Sequence, residues 1–357
     1  MVRLGIVALG AVVAGLLSLS EGHASLHHPD DPMAIPVSVE GVPEPLPFDE
    51  FSRRRAVLTN VLDPNRPLVN PNNPTEKSDR GKVADRIDKA KKNLKRTPEQ
   101  STALAVDLLR FNKPDEAAGV FRRREGFLAN ITLAHVAAVQ GDWGQAFNYL
   151  SIANDPEDSP PPATIPGITS AQLAWQLKLN TEPLKKLFES RLKESRAKEA
   201  RRKEGLPAEL PPDDELPDPI FPVSFANTIG GVLAPDEQAK LPPDALAIVQ
   251  QLVLWFPGDP RLYWLLAEMY AVKGEFVTAQ RIMDSCVGGF KYSNRKVLMQ
   301  HREAVKKAVQ DAIVPDPVPP EPPITLRTVW IYFSVVAAIA LFALLRAVVK
   351  WKRAPSR

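Results

Sequence analysis

Along residues 266–286, apolar positions recur at helical spacing, stop at Gly274, and then resume. In "LAEMYAVKGEFVTA" (266–279) Leu266, Ala267 and Tyr270 share one face, the glycine follows, and Ala279, Met283 and Cys286 make a second stripe. Residues 133–153 repeat the layout, with Leu133, Ala134 and Ala137 before Gly141 and with Ala146, Leu150 and Ala153 after it. A weaker copy places Leu104, Ala105 and Leu108 before Asn112, and Ala117 and Phe121 after it. Each copy predicts two amphipathic helices joined by a tight turn. The chain must leave the first helix through left-handed backbone, which glycine adopts freely and asparagine tolerates. The small Ala267 and Ala279 let the two paired backbones approach.

Flanking segments predict further helices. Thr97-Pro98-Glu99-Gln100 is a capping box with proline at the first helical position. Residues 48–62 form a short helix with Phe51, Val57, Leu58 and Val61 on its apolar side. Residues 65–80 read as a loop. The run 183–205 starts behind Asn180-Thr181 as a helix and has no apolar face after Leu192.

The glycine-centred pattern resembles the tetratricopeptide repeat, whose 34-residue unit places Leu-Gly or Leu-Ala in its first helix, and alanine then a bulky residue in its second. One period before 266–286 come Ala245, Val249, Leu252 and Pro257, the second helix and closing proline of a preceding unit, with residues 256–260 as the turn between units. The segment before Ala245 carries prolines where a first helix should run, and Leu104 to Leu133 is a shortened unit. The resemblance covers 98–154 and 243–288 and implies an all-α, tetratricopeptide-like helical-hairpin solenoid. The two groups are expected to pack together, because such repeats need neighbours to bury a continuous core. The resemblance also implies a concave groove lined by first-helix side chains. Its positions map to Thr102, Val106, Leu109 and Arg110, to Ile131, His135 and Ala138, and to Trp264, Glu268 and Ala271. That set is mostly apolar and suits an apolar helix or extended peptide. Trp264 is read as the binding anchor, with packing on a neighbouring helix as the alternative.

The chain has 357 residues and 45 basic against 42 acidic side chains, so nothing global points to nucleic acid. Its 36 prolines are roughly twice the usual share and cluster in linkers. Residues 1–24 read as a signal peptide: Arg3, an apolar run to Leu19, and Gly22-His23-Ala24 before the cleavage point. An uncleaved anchor is the alternative. Near the other end Thr328 to Leu345 carry no charge, which suits a bilayer core, and a tail rich in Lys and Arg follows. The organisation expected is a signal peptide (1–24) and a proline-rich, largely disordered segment with the short helix (25–80). Helical repeats follow (81–155), then a helical insert with the charged helix and proline-rich linkers (156–242). More repeats (243–312), a proline-rich stalk (313–324), a single transmembrane helix (325–349) and a basic cytoplasmic tail (350–357) complete it. This layout fits a bacterial inner membrane protein with its body in the periplasm, in contact with the bilayer through the C-terminal helix.

Little in the chain promises chemistry. The single cysteine, Cys286, takes a small-residue packing position. His27-His28 has no ligand at metal-binding spacing, and no nucleotide, zinc-protease or nucleophile-elbow motif is present. The helix 183–205 has nine bases against four acids. It reads as a solvated helix held by pairs such as Glu194–Lys198, or as a basic patch for nucleic acid or anionic lipid. The expectation is a membrane-anchored interaction module without catalytic, cofactor or metal sites, binding a protein or peptide. A laterally packed envelope-assembly subunit is the alternative, and an enzyme is the third and weakest reading.

Overall fold

Thr97 opens α3 (Pro98–Arg110) with the expected capping box: its side chain accepts from Gln100 N, and the Gln100 side chain accepts from the Thr97 backbone. Before it lie α1 (Phe48–Leu62) and α2 (Asp79–Lys92), and after it α4 (Pro114–Val120). These are followed by α5 (Phe127–Val139), α6 (Trp143–Ala153), α7 (Ser170–Thr181) and α8 (Pro183–Lys203). The last group is α9 (Pro235–Gln238), α10 (Ala245–Trp255), α11 (Pro260–Val272), α12 (Phe276–Gly289) and α13 (Arg295–Ile313). Two antiparallel two-stranded sheets complete the regular structure, β1 (Val69–Asn70) with β2 (Asn73–Lys77), and β3 (Thr228–Ile229) with β4 (Val232–Leu233). The chain is therefore mostly helical.

This computed structural model describes residues 34–121, 125–166, 168–206, 217–225, 228–229, 232–290, 292 and 295–313. The expected signal peptide, transmembrane helix and basic tail, and the stalk beyond Ile313, lie outside the described residues. Among the described residues no helix is long and apolar enough to cross a membrane. The chain divides into two units, Met1–Val309 and Gln310–Arg357, and the contacts described below belong to the first.

The three copies of the apolar pattern become three helix pairs, α3 with α4, α5 with α6, and α11 with α12. Their turns share one hydrogen-bond arrangement. The amides of Lys113, Asp142 and Glu275 donate to the carbonyls of Leu108, Ala137 and Tyr270, at 2.8, 2.9 and 3.0 Å. The residue before each is left-handed: Asn112 at φ 62°, Gly141 at 77° and Gly274 at 76°. The matched apolar positions are buried, with Ala105, Ala117, Ala134, Ala146, Leu150, Leu266, Ala267, Ala279, Met283 and Cys286 fully inside. Leu133 alone among the eye-catching ones is half-buried.

The second and third helix pairs share one core. Residues of α5 and α6, of α7 and α8, and of α10, α11 and α12 belong to a single apolar cluster that also takes in Phe51 and Leu58 of α1. A second, smaller cluster joins α2, α3 and α4. Among the described residues no regular first helix directly precedes α10; the single turn of α9 stands there, and α10 packs on α1 and α11.

Three local expectations need correction. Residues 65–80, read as a loop, hold the β1–β2 ribbon. Thr181 ends α7 instead of starting the charged helix, which begins at Pro183 with no side-chain cap. The proline-rich start, expected to be largely disordered over 25–80, packs on the body over its described residues, 34 onward. There the amide of Ile35 donates to Gln251 Oε1 and that of Leu46 to Gln250 Oε1, both at 2.8 Å, and this pins the segment to α10.

Candidate binding groove

The first-helix faces of α3 and α5 do not face open solvent along their whole length. The turn between α10 and α11 lies across them. There the His135 ring stacks on Phe256 with centroids 5.4 Å apart at 10°, and meets Trp255 edge-on at 5.1 Å. Phe188 of α8 packs against Phe256, His135 and Trp143 at 5.9–6.4 Å, closing the aromatic cluster from behind. Aromatic side chains are large and rigid, and this interlock keeps the walls of the space beside it in place.

That space is a groove of about 350 Å³. Leu58 and Leu62 of α1 form one wall; Val106, Leu109 and Arg110 of α3 and His135, Ala138 and Val139 of α5 form the floor. Trp143 and the run Leu254–Pro260 form the opposite wall. Val139 is 43 % exposed at the rim, and Leu62, Arg110 and Trp143 are half-buried there. The lining is dominated by carbon, with His135, Arg110 and Asp259 as its polar side chains. A space of this size and character admits one or two large apolar side chains.

The structure divides the expected groove residues. Val106, Leu109, Arg110, His135 and Ala138 come together in this groove. Thr102 and Ile131 are buried in the packing around it. Trp264, Glu268 and Ala271 lie elsewhere and are sealed, at 0, 0 and 1 % exposure. Tyr292 and His301 of the following loop and α13 cover Trp264 edge-on at 5.8 and 5.9 Å, which removes it from any open surface. Trp264 is a packing residue, the alternative weighed for it from the sequence. The wall from Leu58, Leu62 and residues 254–260 was missed, because the helical period marks faces and cannot show which distant turn crosses them.

Asp259 closes one end of the groove. Its Oδ1 accepts from the amides of Arg261 and Leu262 and so caps α11. Asp259 also accepts from Arg191 of α8 at 2.9 Å, and Arg191 in turn reaches the fully buried Asp218 at 2.8 Å. Arg261 pairs with Asp218 at 3.1 Å and with Glu194 at 2.7 Å. Burial pushes the Asp218 carboxyl up from its ordinary range, and the two guanidiniums oppose that push. Burial also works against the Glu194 carboxylate, but the Arg261 guanidinium outweighs it and holds Glu194 below the usual range. The charged helix is thus partly structural: the expected Glu194–Lys198 pair forms at 3.0 Å, and Arg191 and Glu194 lock α8 to the start of α11. Lys185, Lys186, Lys193 and Arg196 stay exposed along α8.

The described residues hold no group of His, Cys, Asp or Glu arranged to bind a metal ion. Cys286 is buried, and burial pushes its thiol up to about 11, which suits packing and not nucleophilic attack. No family model matches this chain, and comparisons with curated proteins and with solved structures find no similar protein.

Proposed function

We propose that this chain is a protein-interaction module, a tetratricopeptide-like solenoid held outside the cytoplasm by a C-terminal membrane span, that takes an apolar segment of a partner protein in the α3–α5 groove. The observation that carries the reading is the convergence of five expected groove positions on one open apolar cavity. Buried aromatic neighbours support it, since preformed walls lower the entropic cost of capturing a peptide.

The test is site-specific cross-linking in native membranes. A photoreactive residue replacing Val139 at the groove rim should give a discrete protein adduct, and Leu62→Glu should remove the adduct without changing the melting temperature. Cross-links from the exposed Val277 of α12, with none from position 139, would replace the groove reading with lateral packing in an assembly. For topology, a reporter fused after Arg357 should be active only if it is one that works in the cytoplasm. Activity of a periplasm-only reporter there would refute the orientation.

A further inference from the structure

Two adjacent glutamines of α10 are buried to 0 and 1 % exposure, and both point at main chain belonging to another segment. Gln250 clamps Leu46 completely: its Oε1 accepts from the Leu46 amide at 2.8 Å and its Nε2 donates to the Leu46 carbonyl at 2.9 Å. The same Nε2 donates to the Tyr270 hydroxyl at 2.8 Å, which fixes the amide's orientation. Gln251 makes half of the same clamp. Its Oε1 accepts from the Ile35 amide at 2.8 Å, while its Nε2 is buried with no hydrogen-bond partner.

A primary amide aimed at backbone N–H and C=O groups reads an extended chain without regard to its side chains. Burying two such amides is costly unless backbone satisfies them, so the site is built for the main chain of two neighbouring arms. The unmatched Nε2 of Gln251 marks where it could donate to one more carbonyl.

The present occupant is attached along its base, where Arg54 Nη1 also donates to the Ala34 carbonyl at 2.9 Å and Val37 packs against the core. Ile35 and Leu46 are buried, while between them the chain leaves the body as a short hairpin, with Ser38 N donating to Val42 O and Glu44 N to Pro36 O, both at 2.9 Å. At its tip Val39 is 95 % and Val42 59 % exposed. An element with an exposed tip that is held by its base opens more readily than the helix pairs beneath it.

We infer that Gln250 and Gln251 form a backbone-reading peptide site on α10, that residues 34–47 are its tethered, exchangeable occupant, and that a hairpin-forming peptide with an apolar residue at the base of each arm takes the site in trans. The tether supplies the resident segment at an effective concentration in the millimolar range, so a free peptide competes only once the resident is released. The inference is independent of the α3–α5 groove, which uses other residues.

The probe is a fluorescein-labelled synthetic peptide with the sequence of residues 34–47. In the full chain, Ile35→Asp with Leu46→Asp should expel the resident segment. The peptide should then bind this double variant saturably and at least ~10-fold tighter than wild type. Adding Gln250→Ala and Gln251→Ala should remove that binding. A folded double variant that fails to bind the peptide overturns the proposal. A second measurement stands if the variant does not fold: hydrogen exchange of the wild-type chain. The Ile35 and Leu46 amides should exchange while the α10 and α11 amides remain protected. Exchange of all four sets at one common rate would make the segment an inseparable part of the core and overturn the proposal equally.

Discussion

Trp264 Nε1 donates a 2.7 Å hydrogen bond to the Glu268 carboxylate one turn along α11, and His301 Nδ1 of α13 shares the same oxygen at 2.7 Å. The pair converts a tryptophan that looked like a ligand anchor into the seat of the last helix. Removing a fully buried tryptophan costs about 3–5 kcal/mol. Trp264→Ala should therefore lower stability by that amount in urea unfolding. Trp264→Phe should keep most of the packing but lose about 1–3 kcal/mol by leaving the carboxylate short of a donor. In both, groove cross-linking should persist in proportion to the folded fraction.

The same contact sets a pH dependence. Burial works against the His301 imidazolium, but the Glu268 carboxylate outweighs it, and the folded pKa lies above the ordinary value. A raised histidine pKa contributes stability that is fully present below the unfolded value, near 6.5, and lost as pH rises through the folded one. The depressed Glu194 carboxyl acts the opposite way, its contribution fading as pH falls through its folded pKa. Melting temperature should thus decline on the alkaline side of about pH 6.5, and His301→Gln should flatten that limb while leaving the acid limb unchanged.

At the turns, Gly274 and Gly141 leave room for a Cβ, since nothing lies within 4 Å of either position. Only the left-handed backbone resists substitution. Gly274→Val should cost about 1–2 kcal/mol, and Asn112→Gly should be within about 0.5 kcal/mol of unchanged. Ala267→Leu and Ala279→Leu act through space instead, overpacking the α11–α12 contact by about 1–3 kcal/mol. Thermal melts of the four variants separate backbone strain from crowding.

The ionic cluster around Asp218 makes a different prediction. Removing one partner of a buried charge pair typically costs about 3–5 kcal/mol, so Asp218→Asn should destabilise strongly and should do so in high salt as well as low. Lys203→Ala, which breaks the exposed pair with Glu199, should leave the unfolding midpoint unchanged. Parallel denaturation curves at two ionic strengths check both.

What could be read from the chain depended on how local its cause is. The three helix pairs, the Thr97 box and the Asp259 turn were legible, because apolar period, cap chemistry and left-handed backbone act within a few residues. The β1–β2 ribbon was not: every residue of β2 is exposed, so no alternation marks it, and Asx hydrogen bonds at Asn70 and Asn73 shape its turn. Half of the groove was legible for the same reason, since Val106 and His135 follow from helix phase. The wall from Leu254 to Pro260 and the lid over Trp264 come from segments whose spatial neighbours no period encodes.

The hydrogen bonds from Ile35 and Leu46 reach 216 and 204 residues along the chain. During synthesis the beginning of the ordered body therefore waits for its partner until α10 has emerged. A chain on a ribosome stalled before Ala245 has an α1 that can reach α2 and α3 but lacks the α10 part of the surface it packs on, so Phe51 and Leu58 lose that share of their cover. Closing contacts across so long a span is slow relative to forming the helix pairs. Nascent chains of this protein should accordingly spend their longest unprotected interval at the N-terminal end, the end made first.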